Sequence, residues 1–265
     1  MRGIRTLLAM VGFAALLPGV ALADVPQAGA NATLTLNGSN TYSDQTYTGS
    51  MSLYHNTPTY GYTLAAGSVG EFGFLRSSAF ASMGIDDRGG LYYCDVLARS
   101  IFVDSFLESS RPAGTSGLIE FTMTVDASLT KSDPDPQKAA SLATIAIGPG
   151  SHGVLPGLQT IKSGRLSIIF GVPLFVSFQL WAEARANPQE NISNGDMQTA
   201  DVHFEHGAVL TGIEVFEDDG TPIDGLMLTS GSGTVYPLTY PVPEPRSAAL
   251  AAIAALCVLA RRAVA

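Results

Sequence analysis

In the segment LIEFTMTVD, residues 118–126, apolar and polar side chains alternate from Ile119 onward. Successive side chains of an extended strand point to opposite faces, so this period of two indicates a strand that is buried on one side. The apolar face holds Ile119, Phe121, Met123 and Val125. The polar face holds Glu120, Thr122, Thr124 and Asp126.

The same period recurs along the chain, most clearly at 173–182. Turn signals separate the runs, among them Glu217-Asp218-Asp219-Gly220, which carries the Asp-Gly pair typical of hairpins. No long amphipathic pattern suggests a helix between the two ends of the chain. We therefore expect an all-β antiparallel sandwich, jelly-roll-like, in residues 24–240. Residues 24–63 are expected to form edge strands or to be partly disordered. Further strands are expected at 32–36, 91–96, 100–106, 142–147, 166–170, 201–205, 208–216, 225–229 and 234–238.

The charge of the chain limits its partners. The 265 residues carry 23 acidic and 14 basic side chains, a formal net charge of −9. Five of the basic residues lie near the two ends, so the body between them is more acidic still. Such a surface repels phosphate backbones, and we expect no binding to nucleic acid.

The N-terminus predicts export. Arg2 and Arg5 precede an apolar run over 7–22, and Ala21 and Ala23 form a small-x-small site before Asp24. This order of features is typical of a secretory signal peptide, here residues 1–23, with cleavage between Ala23 and Asp24. A permanent membrane anchor is the alternative.

The C-terminus, residues 241–265, has three ordered parts. Val242-Pro243-Glu244-Pro245 is followed by an uncharged, Ala-rich run at 247–260 and then by Arg261 and Arg262. As a helix of about 1.5 Å per residue, the run would reach roughly 21 Å, short of the roughly 30 Å hydrocarbon core. This geometry favours transient insertion in the inner membrane, with the arginines on the cytoplasmic side.

These three parts resemble the PEP-CTERM sorting signal, a tail also named after the C-terminus of certain ice-binding proteins. The resemblance implies a Gram-negative host that makes extracellular polysaccharide. It also implies an exosortase-type membrane protease that recognises the tail and cleaves near Pro243-Glu244-Pro245. The implied recognition residues are Val242, Pro243, Glu244, Pro245, Arg261 and Arg262.

The sequence predicts no catalytic residue, no metal site and no cofactor. Residues 148–153 fit G-x-G-x-x-G, but Pro156 prevents the helix that a dinucleotide fingerprint requires, so a loop between strands is expected. His203 and His206 would point to opposite faces of a strand. The acidic pairs Asp86-Asp87, Asp133 with Asp135, and Asp218-Asp219 lack the spacing of a calcium loop and are expected in solvated turns.

A few further side chains suggest roles that the sequence leaves open. Cys94 is expected to be a buried free thiol, with an intermolecular disulfide as the alternative. Trp181 is expected to pack in the core or on a sheet face. Five tyrosines are candidates either for stacking on sugars or for cross-strand packing. They are Tyr42, Tyr47, Tyr54, Tyr60 and Tyr62.

The sequence favours an exported, non-enzymatic protein of the cell surface or extracellular matrix, with extracellular polysaccharide as its partner. Two alternatives remain. The first is a secreted hydrolase of polysaccharide, which would need two carboxylates with perturbed pKa values in a cleft. The second is an adhesin held permanently by its tail.

Overall fold

The computed structural model describes residues 27–36, 40–46, 49–57, 62–84, 93–135, 139–187, 197–204 and 206–239. The predicted signal peptide, the C-terminal tail and Asp86-Asp87 lie outside these residues. None of the described residues belongs to a helix that is long and apolar enough to cross a membrane.

The described chain is all-β and antiparallel, as the alternation predicted. The strands are β1 (Gln27–Leu36), β2 (Asn40–Thr46), β3 (Gly49–Thr57), β4 (Tyr62–Glu71), β5 (Phe74–Gly84), β6 (Cys94–Glu108), β7 (Ser116–Lys131), β8 (Ala139–Ile147), β9 (Gly150–Gly153), β10 (Gly157–Ile169), β11 (Leu174–Ala186), β12 (Met197–His203), β13 (Ala208–Glu217) and β14 (Leu228–Ser230).

These strands form two sheets. Sheet I has the order β2-β1-β6-β11-β8-β9, and β14 pairs with the end of β6. Sheet II has the order β10-β7-β12-β5-β4-β3, and β13 continues the line of β12 between β7 and β5. The Asn- and Ser-rich strands β2 and β3 therefore lie at the edges of the two sheets.

The inner faces of the two sheets share one hydrophobic core, in a sandwich-like arrangement. Phe102 of β6 stacks on Phe178 of β11, with ring centroids 4.4 Å apart. Phe121 of β7, in the opposite sheet, meets the edge of Phe178 at 5.3 Å. The quoted segment 118–126 contributes Ile119, Phe121, Met123 and Val125 to this core, so its predicted inner face is confirmed.

One glycine allows the two sheets to approach closely. A Cβ atom at Gly70, on the inner face of β4, would lie 2.1 Å from the carbonyl oxygen of Gly29 and 2.7 Å from that of Ile101. Both obstructing atoms belong to the backbone of sheet I and cannot rotate away. Glycine is therefore required at this contact between the sheets.

Several strand predictions need correction. The strands expected at 91–96 and 100–106 are parts of one 15-residue strand, β6. Where a strand was expected at 225–229, only Leu228–Ser230 (β14) forms one. Residues 234–238 form no strand, although Leu238 forms a single bridge to Ile213. The hairpin of β4 and β5 was not predicted at all, because its alanines, serines and glycines give little contrast between the two faces.

The turn predicted at Gly220 is confirmed. The backbone nitrogen of Gly220 donates to the carbonyl of Glu217 at 2.9 Å, and Gly220 has the positive φ of 86° that the Asp-Gly signal requires. The loop expected over 148–153 is limited to the turn at Gly148-Pro149, because residues 150–153 form strand β9, which pairs with β8.

Candidate functional site

The residues predicted for sorting and processing lie outside the described part of the chain. They are Ala21, Ala23, Asp24, Val242, Pro243, Glu244, Pro245, Arg261 and Arg262. The described body begins at Gln27 and ends at Thr239, between these two groups.

The end of the described body is fixed by a buried carboxylate. Asp104 of β6 has no solvent exposure. Its Oδ2 accepts hydrogen bonds from the Tyr236 hydroxyl at 2.6 Å and the Ser232 hydroxyl at 2.5 Å. Its Oδ1 accepts from the backbone nitrogens of Ser232 at 3.0 Å and Ser105 at 2.8 Å. Burial and the hydrogen bond to Asp104 raise the pKa of Tyr236, so this phenol stays protonated.

A second acid of β6 holds the start of the same segment. Glu108 is buried, and its Oε1 accepts hydrogen bonds from the backbone nitrogens of Ser110 at 2.7 Å and Met227 at 3.1 Å. Farther along, the backbone nitrogen of Thr239 donates to the carbonyl of Ile213 at 3.0 Å. Hydrogen bonds therefore hold the body in place as far as Thr239, two residues before the predicted tail at 241–265.

The acidic turns have ordinary structural roles. The carboxylate of Asp133 caps the backbone nitrogen of Asp135 at 2.9 Å, and that of Asp219 caps Thr221 at 2.9 Å. Such Asx turns satisfy backbone donors without a ligand. Within the described residues, no three histidine, cysteine or acidic side chains come close enough to hold a metal ion.

Contrary to the prediction, the two histidines do not share a strand, because β12 ends at His203. His203 ends β12 and lines a shallow groove of about 170 Å³ on the outer face of sheet II, together with Gly67, Val69, Arg76 and Ser78. His206 follows the strand and lies 3.9 Å from Asp126. In this groove the Ser78 hydroxyl donates to the carbonyl of Gly67 at 3.5 Å and not to His203.

The outer face of sheet I carries the densest group of functional side chains. We call it the Trp181 face and define it by the outward residues of β1, β6, β11 and β8 around Trp181. Register places Asn31, Arg99, Trp181 and Thr144 in one row across these four strands. The guanidinium carbon of Arg99 lies 5.3 Å from the Trp181 ring centroid, a cation–π contact.

Two carboxylates meet on the Trp181 face beside this row. Arg185 Nη2 donates to Glu183 Oε1 at 2.9 Å and to Asp95 Oδ2 at 3.3 Å. Burial raises the pKa of both carboxyl groups, and Arg185 opposes this shift only in part. Asp95 Oδ1 is buried without a hydrogen-bond partner, which is consistent with the desolvation of this group.

The raised pKa values predict a pH-dependent stability. A carboxyl group whose pKa is raised by folding binds its proton more tightly in the folded state, so its contribution to the free energy of unfolding increases as the pH falls from neutral through that pKa. We expect the difference in unfolding free energy between wild type and the double variant Asp95→Asn, Glu183→Gln to shift in favour of wild type between pH 7 and pH 4. Urea unfolding at several pH values measures this difference.

The matched control is Asp219→Asn, whose carboxylate has a lowered pKa because it accepts a hydrogen bond from the Thr221 backbone nitrogen. For this control, the difference in unfolding free energy should shift in favour of the variant as the pH falls. A wild-type advantage that does not change with pH for the double variant would contradict the assignment of Asp95 and Glu183.

The remaining sequence candidates divide between surface and core. Tyr54 is 68% exposed, whereas Tyr62 is 7% exposed, so the suggestion that Tyr62 presents its ring to a sugar is wrong. The side chains of Tyr42, Tyr47 and Tyr60 lie outside the described set.

Cys94 is fully buried, and burial raises the pKa of its thiol to about 12. The interpretation of Cys94 as a buried free thiol is confirmed.

No protein-family model matches the chain, and no curated protein matches it. The site must therefore be judged on its own geometry. Sequence reasoning singled out Trp181 but missed its contact with Arg99, because the two residues lie on different strands. Alternation showed which positions of β6 and β11 face outward, but it did not show that the two strands are neighbours.

Proposed function

We propose that the protein is exported, sorted through its C-terminal tail, and retained at the cell surface or in the extracellular matrix, where it is associated with polysaccharide. An exosortase-type membrane protease is its processing partner, and the tail holds it transiently in the inner membrane. The molecule itself is non-enzymatic in this proposal.

One observation carries this proposal: the folded body lies between the two predicted signals. Strand β1 begins at Gln27, three residues after Asp24, and the last described residue, Thr239, precedes Val242 by three. Asp104 and Glu108 anchor the segment before the tail, so cleavage near Pro243-Glu244-Pro245 would leave every described contact intact. A jelly-roll-like topology is part of the proposal and is supported by the repeated crossing of the chain between the sheets, as at β6, β7 and β8.

Intact mass of the protein from the cells and medium of a producing host tests the sorting. We expect the mature mass to lack residues 1–23 and everything beyond the Pro243-Glu244-Pro245 region. Glu244→Ala and the double variant Arg261→Ala, Arg262→Ala are expected to accumulate unprocessed in the membrane fraction. Asp135→Ala is the matched control, since it changes an acid between two prolines within the body.

Retention of Arg261 and Arg262 in the wild-type membrane fraction would overturn the processing proposal and favour the permanently anchored adhesin. Processing of the tail variants at the wild-type rate would show that these residues are not recognised.

One observation favours the hydrolase as a second candidate. Asp95 and Glu183 meet on the Trp181 face, and both have raised pKa values, as an acid catalyst of glycoside hydrolysis requires. However, both carboxylates accept from the same Arg185 nitrogen, which joins them on a sheet face. Release of reducing ends from a polysaccharide, lost in Glu183→Gln, would favour this candidate.

A further inference from the structure

Arg99 is a cation without an anion. Its Nη2 donates a hydrogen bond to Gln179 Oε1, and its Nε is buried without a partner. Among the described residues, no carboxylate pairs with it, whereas Arg185 on the same face has two. Burial lowers the pKa of Arg99, which shows that the charge is partly removed from water at a cost. An anion that reached this guanidinium would offset part of that cost.

The surroundings of Arg99 suit a sugar rather than an isolated anion. The guanidinium lies over one face of the Trp181 ring, and the ring is half-buried in the middle of the sheet face. On β8, Thr144 pairs with Trp181, and Leu142 and Ala146 lie two residues to either side of Thr144. An aromatic ring bordered by short and apolar side chains offers an apolar surface for the C–H face of a sugar.

The polar groups are spaced for a chain of sugars. The row Asn31, Arg99, Trp181 and Thr144 crosses three strand intervals of about 4.8 Å, or roughly 14 Å in total. Asn31 and Thr144 supply hydrogen-bonding groups at the two ends, and the fork of Arg99 matches the geometry of a carboxylate. Leu142, 53% exposed on the same face, extends the apolar surface beyond Trp181.

We propose that the Trp181 face binds an acidic polysaccharide, with a uronate carboxylate on Arg99 and a sugar ring on Trp181. The occupant is chosen by charge complementarity: Arg99 is the uncompensated cation of this face, and Asp95 and Glu183 are already held by Arg185. This inference rests on the proposed function in one respect. It takes from that proposal that the protein meets polysaccharide at the cell surface or in the extracellular matrix. At 0.15 M salt, acidic groups elsewhere on the body are screened beyond about 8 Å.

Tryptophan fluorescence tests the proposal directly, because Trp181 is the only tryptophan in the chain. The full chain, purified in mild detergent, is titrated with oligogalacturonate and, separately, with dextran oligomers as the neutral probe. We expect a saturable change of emission with oligogalacturonate and binding at least about tenfold weaker with dextran, which lacks the carboxylate.

The variant Arg99→Gln is expected to weaken oligogalacturonate binding by about tenfold or more. The matched control is Arg165→Gln, because Arg165 lies 4.0 Å from the ring centroid of Phe216 on the other sheet. This control should bind within about twofold of wild type. Trp181→Ala, followed by calorimetry, should lose binding, and the Arg99 variant keeps the test valid where the alanine variant does not fold.

No change of Trp181 emission with oligogalacturonate would overturn the proposal, as would equal affinity for dextran or unchanged affinity in Arg99→Gln. Concentration-dependent self-association that Arg99→Gln abolishes would instead identify a second copy as the occupant. The mass experiment is independent of these results: correct processing without binding refutes only the Trp181 face, and binding without processing refutes only the sorting proposal.

Discussion

Replacement of Phe178 by alanine is expected to lower the free energy of unfolding by about 3–5 kcal/mol. Phe178 is fully buried and contacts three other aromatic rings. It stacks on Phe102 at 4.4 Å, meets Phe121 of the opposite sheet at 5.3 Å, and meets Phe106 at 6.2 Å. Alanine would leave a cavity between the two sheets that these rings cannot close without moving both backbones.

A loss of this size is a large part of the about 5–15 kcal/mol that stabilises most domains. Urea unfolding followed by circular dichroism measures it. Phe175→Ala is the matched control, since Phe175 lies on the same strand, β11, with 41% of its surface exposed. We expect that control to stay within about 0.5 kcal/mol of wild type. Equal losses in the two variants would show that Phe178 is not a bridge between the sheets.

The second large effect is expected at Asp104. Replacement by alanine removes the acceptor of four hydrogen bonds, among them the bond from the buried Tyr236 hydroxyl. A hydrogen bond within a protein contributes about 0.5–1.5 kcal/mol to stability, and Ser232 can regain part of its loss from water. We therefore expect a loss of about 3 kcal/mol in unfolding free energy.

The loss should be concentrated at the end of the body. Hydrogen exchange is expected to accelerate at the amides of Gly231 and Thr239, which donate to Ser105 and Ile213 in the wild type. Tyr236→Phe is the control, because it removes one hydrogen bond and leaves the carboxylate with its other donors, at a cost of about 1 kcal/mol. Exchange at Thr239 that is unchanged in Asp104→Ala would contradict the anchoring role.

The anchoring of this segment bears on the proposed sorting. If Asp104 holds the chain before the tail, Asp104→Ala should change the stability of the body without changing the recognition residues themselves. The intact-mass experiment on this variant separates the stability of the body from the processing of the tail. We expect the tail still to be processed, because the recognised motif Val242-Pro243-Glu244-Pro245 is unchanged in the variant.

The fold class was predictable because alternation is a local property. The face of β7 that contains Phe121 and Met123 was assigned correctly from residues 118–126 alone, and so was the turn at Gly220. The hairpin of β4 and β5 escaped prediction because segments such as Ala65-Ala66-Gly67-Ser68 bury small side chains that differ little from exposed ones in polarity. Glycines such as Gly70 are selected by the approach of another sheet, which no local pattern records.

The sequence by itself determined that this protein is built of antiparallel strands, and it supplied the residues on which the proposed export and sorting depend. Only the tertiary structure decided which strands are neighbours. It brought Arg99 against Trp181 and Asp104 against Tyr236, which lie on segments far apart in the chain. The physical reason is that hydrophobic periodicity fixes which way a side chain faces, whereas its partners depend on pairings between strands that are chosen by the packing of the whole core.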